Sequence, residues 1–177
     1  FFLIGNDQRL LKQLPLEELT NSPHRSLPLI KGLTFSYTRL GKRLNSSVLE
    51  RGLTLLSTLQ KISMDKIPEN SEIVTGFKDH YRMADLSSQK IRIDISDPLN
   101  LKISWPLKSP EFQPGSPEML RSVPLTIQMG NRNFGERIRT FQNIFPVIDK
   151  QHPGLQSIDL RYEKRVMLIP YMETAKN

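Results

Sequence analysis

Residues 124–170 read PLTIQMG, NRNFGERIRTFQNIFPVIDKQHPG, LQSIDLRY and EKRVMLIP, and each piece has its own periodicity. The first reads as a strand. In the second, Phe134, Ile138, Phe141, Phe145 and Ile148 recur at four- and three-residue steps, which aligns them on one face of a 3.6-residue helix. That face has to be buried. Asn133 stands where it can cap the first turn, with Glu136 three residues on to reach back, so the spacing predicts a capping box. Ile158, Leu160 and Tyr162 then alternate with Asp159 and Arg161 along a strand, and a continuous apolar run, Val166-Met167-Leu168-Ile169, closes at Pro170.

Working outward, a second helix is written from Ser47. Ser47 and Glu50 form another capping-box pattern, and Val48, Leu55, Leu59 and Ile62, with Leu49 and Leu56 beside them, make a wide apolar stripe. Gly52 interrupts it, which points to a close backbone approach. Ile91, Ile93 and Ile95, then Leu101, Ile103 and Trp105, alternate with polar residues around SDPLN and predict a hairpin. At the start, FFLIG and RLLKQL read as short strands about the turn NDQ, while the prolines at 15, 23 and 28 leave SLPLIKG as a loop or a short extended piece against the core. Residues 73–77 and 81–84 read as strands or turns, and the proline-rich stretch 106–124 as an extended loop. No repeat is visible in the residue pattern. Short connections favour antiparallel neighbours. The expected fold is therefore α+β, a mostly antiparallel sheet with two amphipathic helices packed on one face, spanning residues 1–170 and followed by a tail at 171–177.

Composition narrows the chemistry. The 177 residues contain no cysteine, which excludes a disulfide framework and any thiolate metal site. A formal charge of +7 allows contact with nucleic acid, anionic lipid or an acidic protein, yet the basic residues are dispersed and form no long run. Aromatic residues, at 7%, are too few and too scattered among the cations for a single-strand binder. His24, His80 and His152 stand apart, without ligand spacing. The stretch from Gly130 to Gly135 has glycines before a helix, but Glu136-Arg137 replaces the Lys-Ser/Thr pair of a phosphate loop, so it reads as a turn. Neither Asp94 with Asp97 nor Glu17 with Glu18 is set up as a catalytic acid pair. No enzyme activity, cofactor, metal or small-molecule substrate is expected. No apolar run reaches the length that spans a bilayer, and the opening FFLIG reads as a chain entered in mid-domain.

Three of these elements together resemble the end of the extracytoplasmic domain of the FtsQ/DivIB family of bacterial cell-division proteins. They are Met129-Gly130 closing a strand, Arg137-Ile138-Arg139-Thr140-Phe141 with Phe145-Pro146 in a helix, and Asp159-Leu160-Arg161-Tyr162 in the next strand. The similarity extends more weakly back through SLPLIKG. It implies a non-enzymatic divisome scaffold linking early and late division proteins and septal peptidoglycan synthesis. A single-pass anchor in the inner membrane and a POTRA domain would precede this β domain, which would lie in the periplasm, and both are absent from this chain. It implies further that the terminal strand is a sheet edge receiving a segment of an FtsB-type partner joined to FtsL. Carried onto this sequence, the contact residues are Arg161, Tyr162, Arg165, Val166, Met167, Leu168 and Ile169. After Tyr162 the chain departs from the family pattern, with Glu163-Lys164 where a small residue and a glycine are usual. The alternative is a basic nucleic-acid-binding domain, motivated by the charge; the family reading implies no nucleic-acid partner.

Overall fold

The computed structural model describes residues 1–21, 24, 27–34, 39–64, 91–105, 125–151, 155–163 and 165–170. The segments 73–77 and 81–84, the loop 106–124 and the tail 171–177 lie outside them, as does the side chain of Ile62. The chain opens on a hairpin of β1 (Phe2–Ile4) and β2 (Leu10–Gln13), with Phe2 opposite Gln13 and Ile4 opposite Leu10. A short helix, α1 (Leu16–Asn21), starts directly after Pro15. Then come β3 (Leu29–Lys31), α2 (Ser47–Met64), β4 (Arg92–Asp94), β5 (Leu101–Trp105) and β6 (Leu125–Gly130). The last elements are α3 (Phe134–Gln151), β7 (Leu155–Asp159) and β8 (Met167–Pro170).

Strands β3 to β8 form one six-stranded sheet and lie in it in chain order. The architecture is α+β, but the sheet is mixed where a mostly antiparallel one was expected. β3 pairs with β4 in parallel and β6 with β7 in parallel, while β4–β5, β5–β6 and β7–β8 are antiparallel. The helices are the reason. Each one joins two strands that become neighbours, and a helix carries the chain back to the end from which it left, so the second strand runs the same way as the first. SLPLIKG, read as a loop or a short extended piece, supplies β3 and with it the first parallel pair.

Alternate strand residues, among them Ile93, Ile103, Ile127 and Ile158, point into a single core. Leu49, Leu55 and Leu59 of α2 meet them there, together with Phe134, Ile138, Phe141 and Phe145 of α3. Both amphipathic helices therefore cover one face of the sheet, as their apolar stripes require. On the inner strands β4 to β7 the other parity is largely polar. On it Lys31 Nζ lies 3.0 Å from Asp94, and Asn100 Nδ2 donates to Gln128 Oε1 at 2.9 Å, whose amide in turn reaches Ser157.

The strand order contains a repetition that the residue pattern hides. β3-α2-β4-β5 and β6-α3-β7-β8 are both βαββ units with the same sense of pairing, and both helices are 18 residues long. Ile30 faces Ile93 in the first unit as Ile127 faces Ile158 in the second. Asp94 and Asp159 then take equivalent places, each accepting a 3.0 Å hydrogen bond from the backbone N–H two residues on, in Ser96 and Arg161. The helices begin alike, Glu50-Arg51 and Glu136-Arg137 each preceding a threonine three residues after the arginine. Only a handful of residues are shared, at turns and register points, which is why no period shows in the sequence.

One expected cap shifts by a residue, and the other keeps its place, its carbonyl accepting from Arg137 N at 3.1 Å, but with a different backbone conformation. For α2 the cap is Ser46, not Ser47: its hydroxyl accepts from Leu49 N at 3.2 Å and its carbonyl from Glu50 N at 3.0 Å. For α3, Asn133 enters with φ 58°, in the left-handed region instead of the extended conformation a capping box uses. Gly52 does mark a close approach. It is buried, and a Cβ there would stand 3.0 Å from the Ile95 Cγ2 methyl, so the helix lies almost directly on β4's exit. Replacing Gly52 by Leu should therefore lower stability by about 1–3 kcal/mol through overpacking; a urea midpoint that stays unchanged would contradict that contact.

Candidate protein-interaction edge

Arg137 stands one turn into α3, and its guanidinium reaches back across the end of the sheet. Nη1 donates to the Met129 carbonyl and Nη2 to the Arg161 carbonyl at 3.0 Å, so a single fork ties the last turn of β6 to the residues after β7. Gly130 makes room for it. This residue has φ 64°, and a Cβ on it would collide with the Arg137 guanidinium and touch Arg161 Cγ. Burial, with the neighbouring Arg132 charge, lowers the Arg137 pKa from its usual value. Glycine suits the backbone here, and its missing Cβ leaves the room that the Arg137 guanidinium takes.

Arg161 lies beyond β7, and its side chain folds back on Asp159. Its Nε donates to both carboxylate oxygens at 2.9 and 3.0 Å, and its own backbone N–H donates to Oδ1 at 3.0 Å. The Asp159 side chain is only 4% exposed, that of Arg161 39%. Burial by itself would raise the Asp159 carboxyl, but the hydrogen bonds and charge of Arg161 outweigh it and hold the group below the ordinary carboxylate value. Asp94 behaves the same way, with burial opposed by Ser96 and then by Lys31. The guanidinium of Arg161 also sits 5.8 Å from the centre of the Tyr162 ring, which is 51% exposed.

The strand expected over 165–169 begins two residues later, as β8 (Met167–Pro170), with Met167 opposite Asp159 and Ile169 opposite Ser157. β8 ends the strand order and pairs only with β7 among the described strands. Along it the side chains alternate. Leu168 packs against the core, as does Val166 just before the strand, while Met167 and Ile169 are exposed on the other face. Arg165 is exposed ahead of the strand. The seven residues singled out from the sequence therefore divide three ways: Val166 and Leu168 hold β8 to the domain, Arg161 is engaged by Asp159, and Tyr162, Arg165, Met167 and Ile169 are presented outward.

Sequence reasoning missed the other wall of this region. A cleft of about 250 Å³ opens between the first turns of α3 and the β7–β8 connection, lined by Asn133, Glu136, Thr140, Glu163 and Val166 along with Arg137, Tyr162 and Arg165. Glu136 and Thr140 lie one helical turn apart, so the helix stripe, read from its polar side, marks them. The carboxylates weighed as acid pairs are committed elsewhere: Asp97 Oδ1 accepts from Leu99 N at 2.9 Å, and Glu18 pairs with Lys12. Among the described residues no cluster of His, Asp and Glu is placed to hold a metal ion, and no helix is long and apolar enough to cross a membrane. No protein-family model matches the chain, and no curated protein matches it.

Two outcomes check the geometry. Arg137→Ala leaves two backbone carbonyls without their donor and should cost about 2 kcal/mol in chemical denaturation, and Arg137→Lys should recover little because an ammonium lacks the fork. Asp159 and Asp94 have folded pKa values below their unfolded ones, so the stability they contribute is present at neutral pH and is lost as pH falls below about 4 and through the lowered values. Urea midpoints measured down to about pH 2 should show this acid limb, reduced in Asp159→Asn; an identical limb in the variant would remove the carboxylate from that role.

Proposed function

We propose that this domain is a non-enzymatic scaffold of the bacterial divisome that receives a strand of an FtsB-type partner, itself joined to FtsL, along the outer side of β8. One observation carries the reading: an apolar strand closes the sheet order, with Met167 and Ile169 half exposed on one face. An edge strand leaves every second pair of backbone donors and acceptors unpaired, and an incoming strand satisfies them by β-augmentation. Full cover of Met167 and Ile169 would add of the order of 1–3 kcal/mol. The exposed Tyr162 ring, held beside Arg161 at the start of the β7–β8 connection, supplies an aromatic anchor at one end of that edge. The resemblance in Met129-Gly130, in the Arg137 to Phe141 stretch and in Asp159 to Tyr162 supports the same reading. In it the full-length protein is held in the inner membrane by one helix, the domain stands in the periplasm, and its work is to join early and late division proteins to septal wall synthesis.

The test uses proline along β8. Successive residues of an antiparallel edge turn their N–H groups alternately toward the neighbour and outward. One of Met167→Pro and Leu168→Pro therefore removes an outward donor while leaving the β7–β8 ladder in place. That variant should keep its thermal midpoint within a few degrees and lose measurable affinity for the FtsB-type partner in titration calorimetry, and Ile169→Asp should weaken the same binding by about tenfold or more. Unchanged binding in all three variants would overturn the proposal.

A further inference from the structure

Residues 39–43 read Arg-Leu-Gly-Lys-Arg. Lys42 N donates to Arg39 O at 3.2 Å, closing a four-residue turn whose third position, Gly41, has φ 79°. A type II turn requires that sign of φ there. A Cβ on Gly41 would meet nothing within 4 Å, so this glycine serves the backbone and no close contact.

The turn is fixed to the N-terminal hairpin. Gly41 N donates to Leu10 O at 2.7 Å, Leu10 N to Lys42 O at 3.1 Å and Leu44 N to Gln8 O at 2.9 Å, with Arg9 and Arg43 forming a β-bridge. Leu10 and Leu44, both buried, root the two segments in the domain. At the tip stands Leu40, 63% exposed. Arg39, Lys42 and Arg43 are exposed around it. Arg9, on the other side of the bridge, is matched by Asp7 at 3.0 Å and donates to Gly41 O. Among the described residues no carboxylate pairs with Arg39, Lys42 or Arg43.

A rigid turn that holds three unmatched cations around a projecting leucine is complementary to a surface that is anionic outside and apolar just beneath. Nucleic acid would neutralise the cations but leave Leu40 without a place, because phosphates and sugars line the surface they would meet. We propose that residues 39–43 dock the domain on an anionic phospholipid bilayer, with Leu40 entering the boundary between headgroups and acyl chains and Arg39, Lys42 and Arg43 meeting the phosphates. The inference is independent of the partner strand at β8.

Co-sedimentation with phosphatidylglycerol–phosphatidylcholine vesicles tests it, with pure phosphatidylcholine vesicles and a DNA duplex as further arms. The protein should bind the anionic vesicles, weakly at high salt, and bind the neutral ones far less. Removing Arg39, Lys42 and Arg43 as alanines should weaken binding by about fivefold for each charge. A control triple, Lys61→Ala with Arg92→Ala and Arg139→Ala, removes as much charge elsewhere and should bind as the parent does. Leu40→Ser should cost about tenfold on vesicles while leaving any binding to DNA unchanged. All the substituted side chains are exposed, and far-UV circular dichroism checks that each variant is folded. Absence of vesicle binding by the parent protein overturns the proposal. So does an equal loss in the control triple, or full vesicle binding by Leu40→Ser.

Discussion

Two strands that lie side by side and run the same way need a connection long enough to return to the starting end of the sheet. The chain meets this requirement twice, through α2 between β3 and β4 and through α3 between β6 and β7. Most of the architecture follows. Both crossovers lie over one face, so the inward strand residues and the two helical stripes form one core. The opposite face is left to Lys31, Asp94, Gln128 and Ser157. After β7 the chain turns back, and β8 is the last of the described strands in the sheet.

Where the second crossover closes, polar groups do the work of alignment. Arg137 joins the carbonyls of Met129 and Arg161 across the space that Gly130 leaves open, and Asp159 holds Arg161 by its backbone and its guanidinium together. Met129, Gly130, Arg137, Asp159 and Arg161 together therefore fix the exit of β7. Tyr162 and β8 are positioned through them. The matching corner of the first unit is simpler: Asp94 takes Ser96 and Lys31 as partners, and Arg51 has a buried Nε with no hydrogen-bond partner among the described residues.

The elements were legible because their periodicities are strong. The stripe of Phe134, Ile138, Phe141 and Phe145 and the alternation in both hairpin strands reflect burial on one side, and burial is what the structure shows at those residues. Strand direction was not legible, since side-chain alternation is identical in parallel and antiparallel pairs and only the neighbour relation distinguishes them. β3 was legible only as a loop or a short extended piece, because prolines precede it and three residues are too few for an alternation to show. The α2 cap moved because adjacent serines look alike in sequence and the hydroxyl geometry of Ser46 decides between them, while Asn133 keeps its place before α3 with a positive φ that the sequence does not show. At the edge, the exposure of Met167 and Ile169 followed from alternation, but the engagement of Arg161 by Asp159 depends on a turn that places a side chain two residues back within its reach.

Because the strands lie in the order in which they occur, a sheet built from β3 onward would take each new strand at one side, with no earlier pair having to open to admit it. Among the described strands β8 is the last in the sequence. Without it, β7 would be the exposed border of the sheet. In the proposed complex, a strand from another molecule would continue this sequence of additions by one more step. Assembly would then be an extension of folding, using the same geometry that placed each strand before it.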